Sequence, residues 1–228
     1  MKVAISQSNY IPWKGYFDLI SKVDVFVIYD EVQYTKNDWR NRNLIKTKDG
    51  LQWLTIPVRQ LHLGQRIDET VVTDKSWWKK HLNALKTNYA KAPYFKEYEG
   101  RLGEIYAEAG QMKLLSEINQ FILLEICSWL GINTKIIRST DLSLAGDRNE
   151  RLIQAVLLCG GTTYLSGPAA KVYLDAKAFT KQAIAIEWME YTAYPEYPQT
   201  GDTFEHGVSI LDAIFQMGIR CTEFMKFK

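Results

Sequence analysis

Residues 24–43, DVFVIYDEVQYTKNDWRNRN, decide how the rest of the chain is read. Val25 to Tyr29 form a short apolar run of β-branched and aromatic residues that ends at Asp30, the composition of a buried strand. Polar groups then crowd in: Gln33, Lys36, Asn37, Arg40, Asn41, Arg42 and Asn43, with Trp39 among them. Open α/β sheets bind ligands just beyond the carboxyl ends of their strands, so the stretch is a candidate site. If Trp39 to Asn43 run extended, Arg40 and Arg42 share one face, and Trp39, Asn41 and Asn43 share the other. Two guanidiniums on one face suit a phosphate or carboxylate, because each offers a planar fork of donors. A solvated polar loop is the plain alternative, but it has no use for an embedded tryptophan and three asparagines.

Upstream, Lys2 to Ser6 reads as a strand, and Pro12 suits the start of a helix that continues to Lys22. With Val25 to Tyr29 this makes a β-α-β unit, hence a parallel pair with a right-handed crossover. Downstream, Asn43–Thr47 and Gln52–Val58 flank the turn signal Lys48-Asp49-Gly50 and predict a hairpin. Ile67 to Thr73 adds a short strand. Helices are expected from Ser76 to Tyr89, from Pro93 to about Ala109, and from Leu114 to Leu130. After strand-like Thr134–Ile137 come a helix through Leu158 closed by Gly160-Gly161, a strand at Thr162–Leu165, a helix near Asp175–Gln182 and a strand at Ala183–Met189. A Tyr/Pro-rich loop, 191–198, precedes a last helix, Ser209–Gln216. The pattern predicts an α/β fold with a Rossmann-like parallel or mixed sheet, and a single domain over 1–228 with a largely helical insertion near 76–131.

Composition narrows the function. The 228 residues are 46% apolar and 24% charged, with a formal net charge of +2, so there is no strong electrostatic case for nucleic acid, and the basic clusters at Lys36–Lys48 and Lys75–Lys80 are site-sized patches. Cys127, Cys159 and Cys221 are widely spaced and form no CxxC pair, which suggests a reducing compartment and no zinc site. The start, MKVAISQ, lacks a signal-peptide layout, and no apolar run reaches the length of a membrane span. A cytoplasmic protein with no stable membrane insertion is expected; the sequence sets no oligomeric state.

Individual side chains carry the chemistry. Asp30, ending an apolar strand, fits a general base or hydroxyl binder, and equally a turn cap. Carboxylate-bound magnesium there is compatible with a phosphorylated substrate. Lys36, Arg40 and Arg42 suit an anionic group, and Trp39 a base or sugar face. Asn9, Tyr10 and Trp13 flank the first β-α turn, where they are either packing or site residues. His81, following Trp77 and Trp78, is a second candidate base or a surface helical histidine. His206, Ser209 and Asp212 lie in one short segment and make no catalytic triad; Ser209 reads as a helix N-cap. Ser166-Gly167 after a strand, and Gly15 at a helix start, could offer backbone N–H groups to an anion or oxyanion. The three histidines show no metal-ligand spacing.

The segments QSNYIPWKGYFDLI, YDEVQYTKNDWRNRNLIKT, TTYLSG and SILDAIFQMG together resemble the WbqC-like family of bacterial proteins. The resemblance covers nearly the whole chain, and its second segment is the most specific. Glu205-His206-Gly207 departs from the Pro-Asn pair expected before Ser209 in that family. The resemblance implies a place in O-antigen and other surface-polysaccharide synthesis, and for some members glycine transfer. Trp13-Lys14-Gly15-Tyr16 is also similar in placement to the HxGH motif of class I nucleotidyltransferases, implying a core of that kind. Only Gly15 matches, so adenylyl transfer by a histidine pair is not available. The expected function is a transferase moving a glycyl or similar acyl group onto a nucleotide-linked or lipid-linked sugar, with ATP and magnesium as candidate cofactors. A nucleotidyltransferase or ATP-dependent ligase, and a non-catalytic sugar-nucleotide-binding protein, are the alternatives.

Overall fold

The structure is a computed structural model and describes residues 1–226. Strands β1 (Lys2–Ser6) and β2 (Val25–Ile28) pair in parallel through helix α1 (Lys14–Ser21), as the apolar runs predict. The hairpin β3 (Arg42–Thr47) and β4 (Gly50–Thr55) follows, then the short pair β5 (Val58–Arg59) and β6 (Val71–Val72). Helices α2 (Trp77–Tyr89), α3 (Phe95–Ala109) and α4 (Leu115–Trp129) lead to β7 (Lys135–Arg138). The rest is α5 (Arg148–Leu158), β8 (Thr163–Ser166), α6 (Ala176–Lys181), β9 (Ala185–Trp188) and α7 (Ile210–Met217).

The main sheet has five strands, all parallel, in the order β7-β2-β1-β8-β9. Counted along the chain within that sheet the order is 3-2-1-4-5, the doubly wound arrangement of Rossmann-like folds. Side chains alternate across it. Val3, Ile5, Val25 and Val27 meet α5 and α6 through Leu152, Val156 and Phe179. Ala4, Phe26 and Ile28 face the larger core built with α1, α4 and α7. Ser6 pairs in register with Ile28 and Arg138 with Ile28, so the segments leaving β1, β2 and β7 emerge side by side.

Two expectations need adjusting. β4 stops at Thr55 because Pro57 lacks the N–H needed to extend the ladder. Val58–Arg59 then turns to pair with β6. The first half of the strand expected over Ile67–Thr73 is a 3-10 turn, Ile67–Glu69, and only Val71–Val72 is extended.

Candidate functional site

The loop from Gln7 to Trp13 is fixed by groups from three directions. The Tyr16 hydroxyl donates to the Gln7 carbonyl (2.8 Å), and the Tyr10 N–H donates to the Trp39 carbonyl (2.9 Å). Asn43 Nδ2 reaches the Tyr10 and Ile11 carbonyls at 3.1 and 2.9 Å. Those bonds hold Ile11 at φ +36°, a left-handed conformation that costs a β-branched residue energy. Trp13 lies at the start of α1 with its indole folded over Gly15, where a Cβ would overlap the ring. Glycine at 15 is therefore a steric need of Trp13.

These constraints shape a cleft of ≈ 360 Å³ lined by Asn9, Pro12, Trp13, Trp39, Asn43, His206 and Gly207. Tyr191 and Tyr194 support the Trp13 indole with ring centres 5.3 and 5.7 Å away. Arg40 donates to Asn9 Oδ1 and so sets that amide. His206 packs edge-to-face on Phe204 at 4.6 Å. Its Nδ1 is enclosed without a hydrogen-bond partner among the described residues. Burial first, then the positive charge of Lys14, lowers the His206 pKa and keeps the ring neutral. Lys14 itself lies under an aromatic cage, its Nζ 4.9, 5.3 and 5.5 Å from the ring centres of Tyr194, Tyr197 and Phe204. Burial lowers its ammonium to about 8, partly offset by Asp18 and Asp212. The cleft thus offers aromatic faces for a ring, the Asn9 amide for a hydroxyl and an imidazole able to accept a proton.

Of the residues singled out from sequence, Asn9, Trp13, Trp39 and Asn43 line this cleft, with Arg40 behind Asn9 and Gly15 beneath Trp13. The others lie elsewhere. Asp30 is 3% exposed, and both its oxygens are engaged: Oδ1 accepts from the Ser8 N–H (2.8 Å) and Oδ2 from the Ser116 hydroxyl (2.5 Å). It ties the β1–α1 loop to α4 and does not line the cleft. His81 is buried rather than at the surface, held between the Tyr10 hydroxyl (2.8 Å) and the Thr55 carbonyl (3.1 Å). Burial lowers its pKa to about 4. Tyr10 is fully buried and also contacts the Tyr106 hydroxyl at 2.8 Å.

The alternation expected over Trp39–Asn43 does not form. Asn37 takes φ +56° and the Asn41 N–H turns back to the Asp38 carbonyl, so the chain is extended only from Arg42. Arg40 and Arg42 consequently diverge, one to Asn9 and the other onto Trp53 at 4.1 Å. Asn41 is buried against the Ile56 carbonyl (2.9 Å), while Gln33, Lys36 and Asn37 are exposed. Ser166 is buried with its hydroxyl on Tyr164, Gly167 opens a 3-10 turn, and neither lines the cleft. His206 and Gly207 were missed because their position depends on the tail folding back. Trp13 bridges Ser209, and the Ile210 N–H donates to the Pro12 carbonyl (2.9 Å). Ser209 caps α7 as expected; Asp212 is buried and accepts from Tyr89, Tyr197 and Gln199.

The chain matches the family model for the WbqC-like protein family over residues 7–223. It is 46% identical over 227 residues to the uncharacterized protein Rv1507c of Mycobacterium tuberculosis (strain ATCC 25618 / H37Rv), covering 99% of this chain and 98% of that one. No solved structure matches significantly. No helix among the described residues is long and apolar enough to cross a membrane.

Proposed function

The chain belongs to the WbqC-like protein family, and on that premise we propose that it is a transferase of bacterial surface-polysaccharide (O-antigen) synthesis. It moves a glycyl or similar small acyl group onto an amino or hydroxyl group of a nucleotide-linked or lipid-linked sugar. One observation carries this reading: a neutral histidine shares a cleft with two indoles and the Asn9 amide. Indole faces pack the apolar side of a sugar ring, and amides both donate to and accept from its hydroxyls.

The acceptor's nitrogen or oxygen attacks the acyl carbonyl, forming the new C–N or C–O bond. The His206 imidazole takes the proton lost by the acceptor, and the donor's leaving group departs with its electron pair. Asn9, held by Arg40, orients the ring so that one group points at the donor, while Asn43, its amide spent on the Tyr10 and Ile11 carbonyls and the Leu44 N–H, fixes the wall behind it. Asp30, the base expected from sequence, has no part in this step. A free amino acid as donor needs activation, which is where ATP with magnesium would enter.

The test is a thermal-shift panel with UDP- and dTDP-amino-sugars, ATP and glycine, with and without magnesium, followed by an acyl-transfer assay. A ligand at about a hundred times its dissociation constant adds roughly 2.7 kcal/mol, a rise of roughly 5–10 °C for a chain of this size. The expected result is a shift with a sugar nucleotide that Trp13→Ala removes, and turnover that His206→Gln lowers by roughly 10²–10⁴-fold with the shift retained. A shift with ATP alone favours the adenylylating alternative. Turnover unchanged in His206→Gln refutes the proton-transfer role.

A further inference from the structure

Trp39, which closes one side of the cleft, continues outward onto a second exposed indole. Trp53 on β4 has its ring centre 5.5 Å from that of Trp39, with the two planes inclined by 38°. The two residues are 43% and 42% exposed. Trp53 pairs with Leu44 and Arg42 with Thr55 across the β3–β4 hairpin, so Arg42 and Trp53 are diagonal neighbours on its outer face. The Arg42 guanidinium lies 4.1 Å from the Trp53 ring centre, and its Nη2 is tied to the Asn37 carbonyl. Trp53 is thereby backed by a cation that is itself anchored. The result is a pair of exposed, tilted indoles that continues outward from the cleft wall, with the guanidinium stacked on one face of Trp53.

We propose that this pair is a nucleobase platform, so that the sugar enters the cleft as a nucleotide-linked sugar whose base stacks on Trp39 and Trp53. The proposal rests on the cleft binding a sugar, and it selects the nucleotide-linked class over the lipid-linked one. Planar heterocycles stack on indoles irrespective of base identity. A guanidinium beside the stack favours the anionic diphosphate that joins base to sugar. A prenyl chain would instead follow apolar surface along β4 to Leu51, which is 46% exposed on the same face as Trp53. Leu51 therefore separates the two occupants.

The experiment is isothermal titration of the full chain with UDP-, dTDP-, GDP- and CMP-linked sugars, the matching free nucleotides, N-acetylglucosamine 1-phosphate and a short-chain prenyl diphosphate sugar. Wild type is compared with Trp53→Ala, Leu51→Lys and Trp13→Ala. Both hairpin positions are on the outer face, and circular dichroism verifies that the variants fold. Trp53→Ala is expected to weaken one nucleotide sugar and its free nucleotide by roughly ten- to a hundredfold. It should leave the sugar 1-phosphate unchanged, and Leu51→Lys should change none of the three. A nucleotide sugar bound equally by wild type and Trp53→Ala overturns the platform, as does binding of the prenyl diphosphate sugar alone with loss in Leu51→Lys. Failure of every probe to bind wild type overturns it too. Failure of the cleft reading is seen separately: the sugar 1-phosphate then binds Trp13→Ala as well as wild type.

Discussion

Replacing Asp30 separates a structural carboxylate from a catalytic one. Asp30→Ala leaves the buried Ser8 N–H and the Ser116 hydroxyl without their acceptor. An unsatisfied buried group costs about 1–3 kcal/mol. The Ser116 oxygen keeps its bond from Gln120 Nε2 (2.8 Å), which puts its share at the low end. The sum is about 3 kcal/mol, a fall in Tm of roughly 6–12 °C for a domain of this size. Asp30→Asn has a different outcome. Its oxygen can still accept from Ser8 and its amide can donate to the Ser116 oxygen, so the expected loss is about 1 kcal/mol or less. Turnover, once a substrate is in hand, should then fall less than about tenfold, against the 10²–10⁴-fold expected for loss of a general base. Burial holds the Asp30 carboxyl above its ordinary pKa, the Ser116 and Ser8 bonds opposing. The folded chain therefore binds that proton more readily than the unfolded one. The contribution to stability is present in acid and is lost as pH rises through the raised value; Asp30→Asn should remove that slope. The assay is urea unfolding at several pH values with turnover measured in parallel. An Asp30→Asn protein of native stability and no activity would refute the structural assignment.

Three further outcomes follow from packing and burial. Gly15→Ala places a methyl group in the Trp13 indole; the ring must swing away at a cost of about 1–3 kcal/mol. Tryptophan fluorescence should change and cleft affinity fall, and an unaltered spectrum and affinity would show that the indole does not depend on Gly15. His81 has its pKa lowered to about 4 by burial, so the unfolded state binds its proton first as pH falls. Its contribution, up to roughly 3 kcal/mol, is present above pH 6.5 and lost on the way down to about pH 4. His81→Gln should flatten the acid limb of the stability profile, and an unchanged limb would contradict the burial. Asp212→Ala strips the acceptor from the Tyr89 and Tyr197 hydroxyls and from Gln199 Nε2, at 2.8, 2.7 and 2.7 Å. About 3–5 kcal/mol of stability should go, and a loss under about 1 kcal/mol in urea would mean the cluster is not coupled.

Local pattern was enough for most of the fold. The runs Lys2–Ser6 and Val25–Ile28 carry their strand identity in β-branched residues. Gly160 takes φ +71° just after α5, as a helix-closing glycine should. Ser209 accepts the capping bond from Leu211. Trp39 and Asn9 were legible as site residues because they leave the ends of neighbouring strands. What failed depended on distant partners. Asp30 looks the same from its neighbours whether it faces solvent or Ser116, and only the docking of α4 decides. Arg40 and Arg42 share a face only on an extended backbone, which a left-handed Asn37 removes. His206 has no local sign of function, since Ser209 and Asp212 beside it are a cap and a buried acceptor.

The cleft is stitched from segments made at different times. Asn9 to Trp13 and Trp39 to Asn43 leave the ribosome early, and every strand of the main sheet has been synthesised by Trp188. His206 and Gly207 arrive later and are positioned by the Ser209 N–H on the Leu44 carbonyl (2.8 Å) and the Ile210 N–H on the Pro12 carbonyl. A nascent chain can therefore complete its sheet and still lack one wall of the cleft.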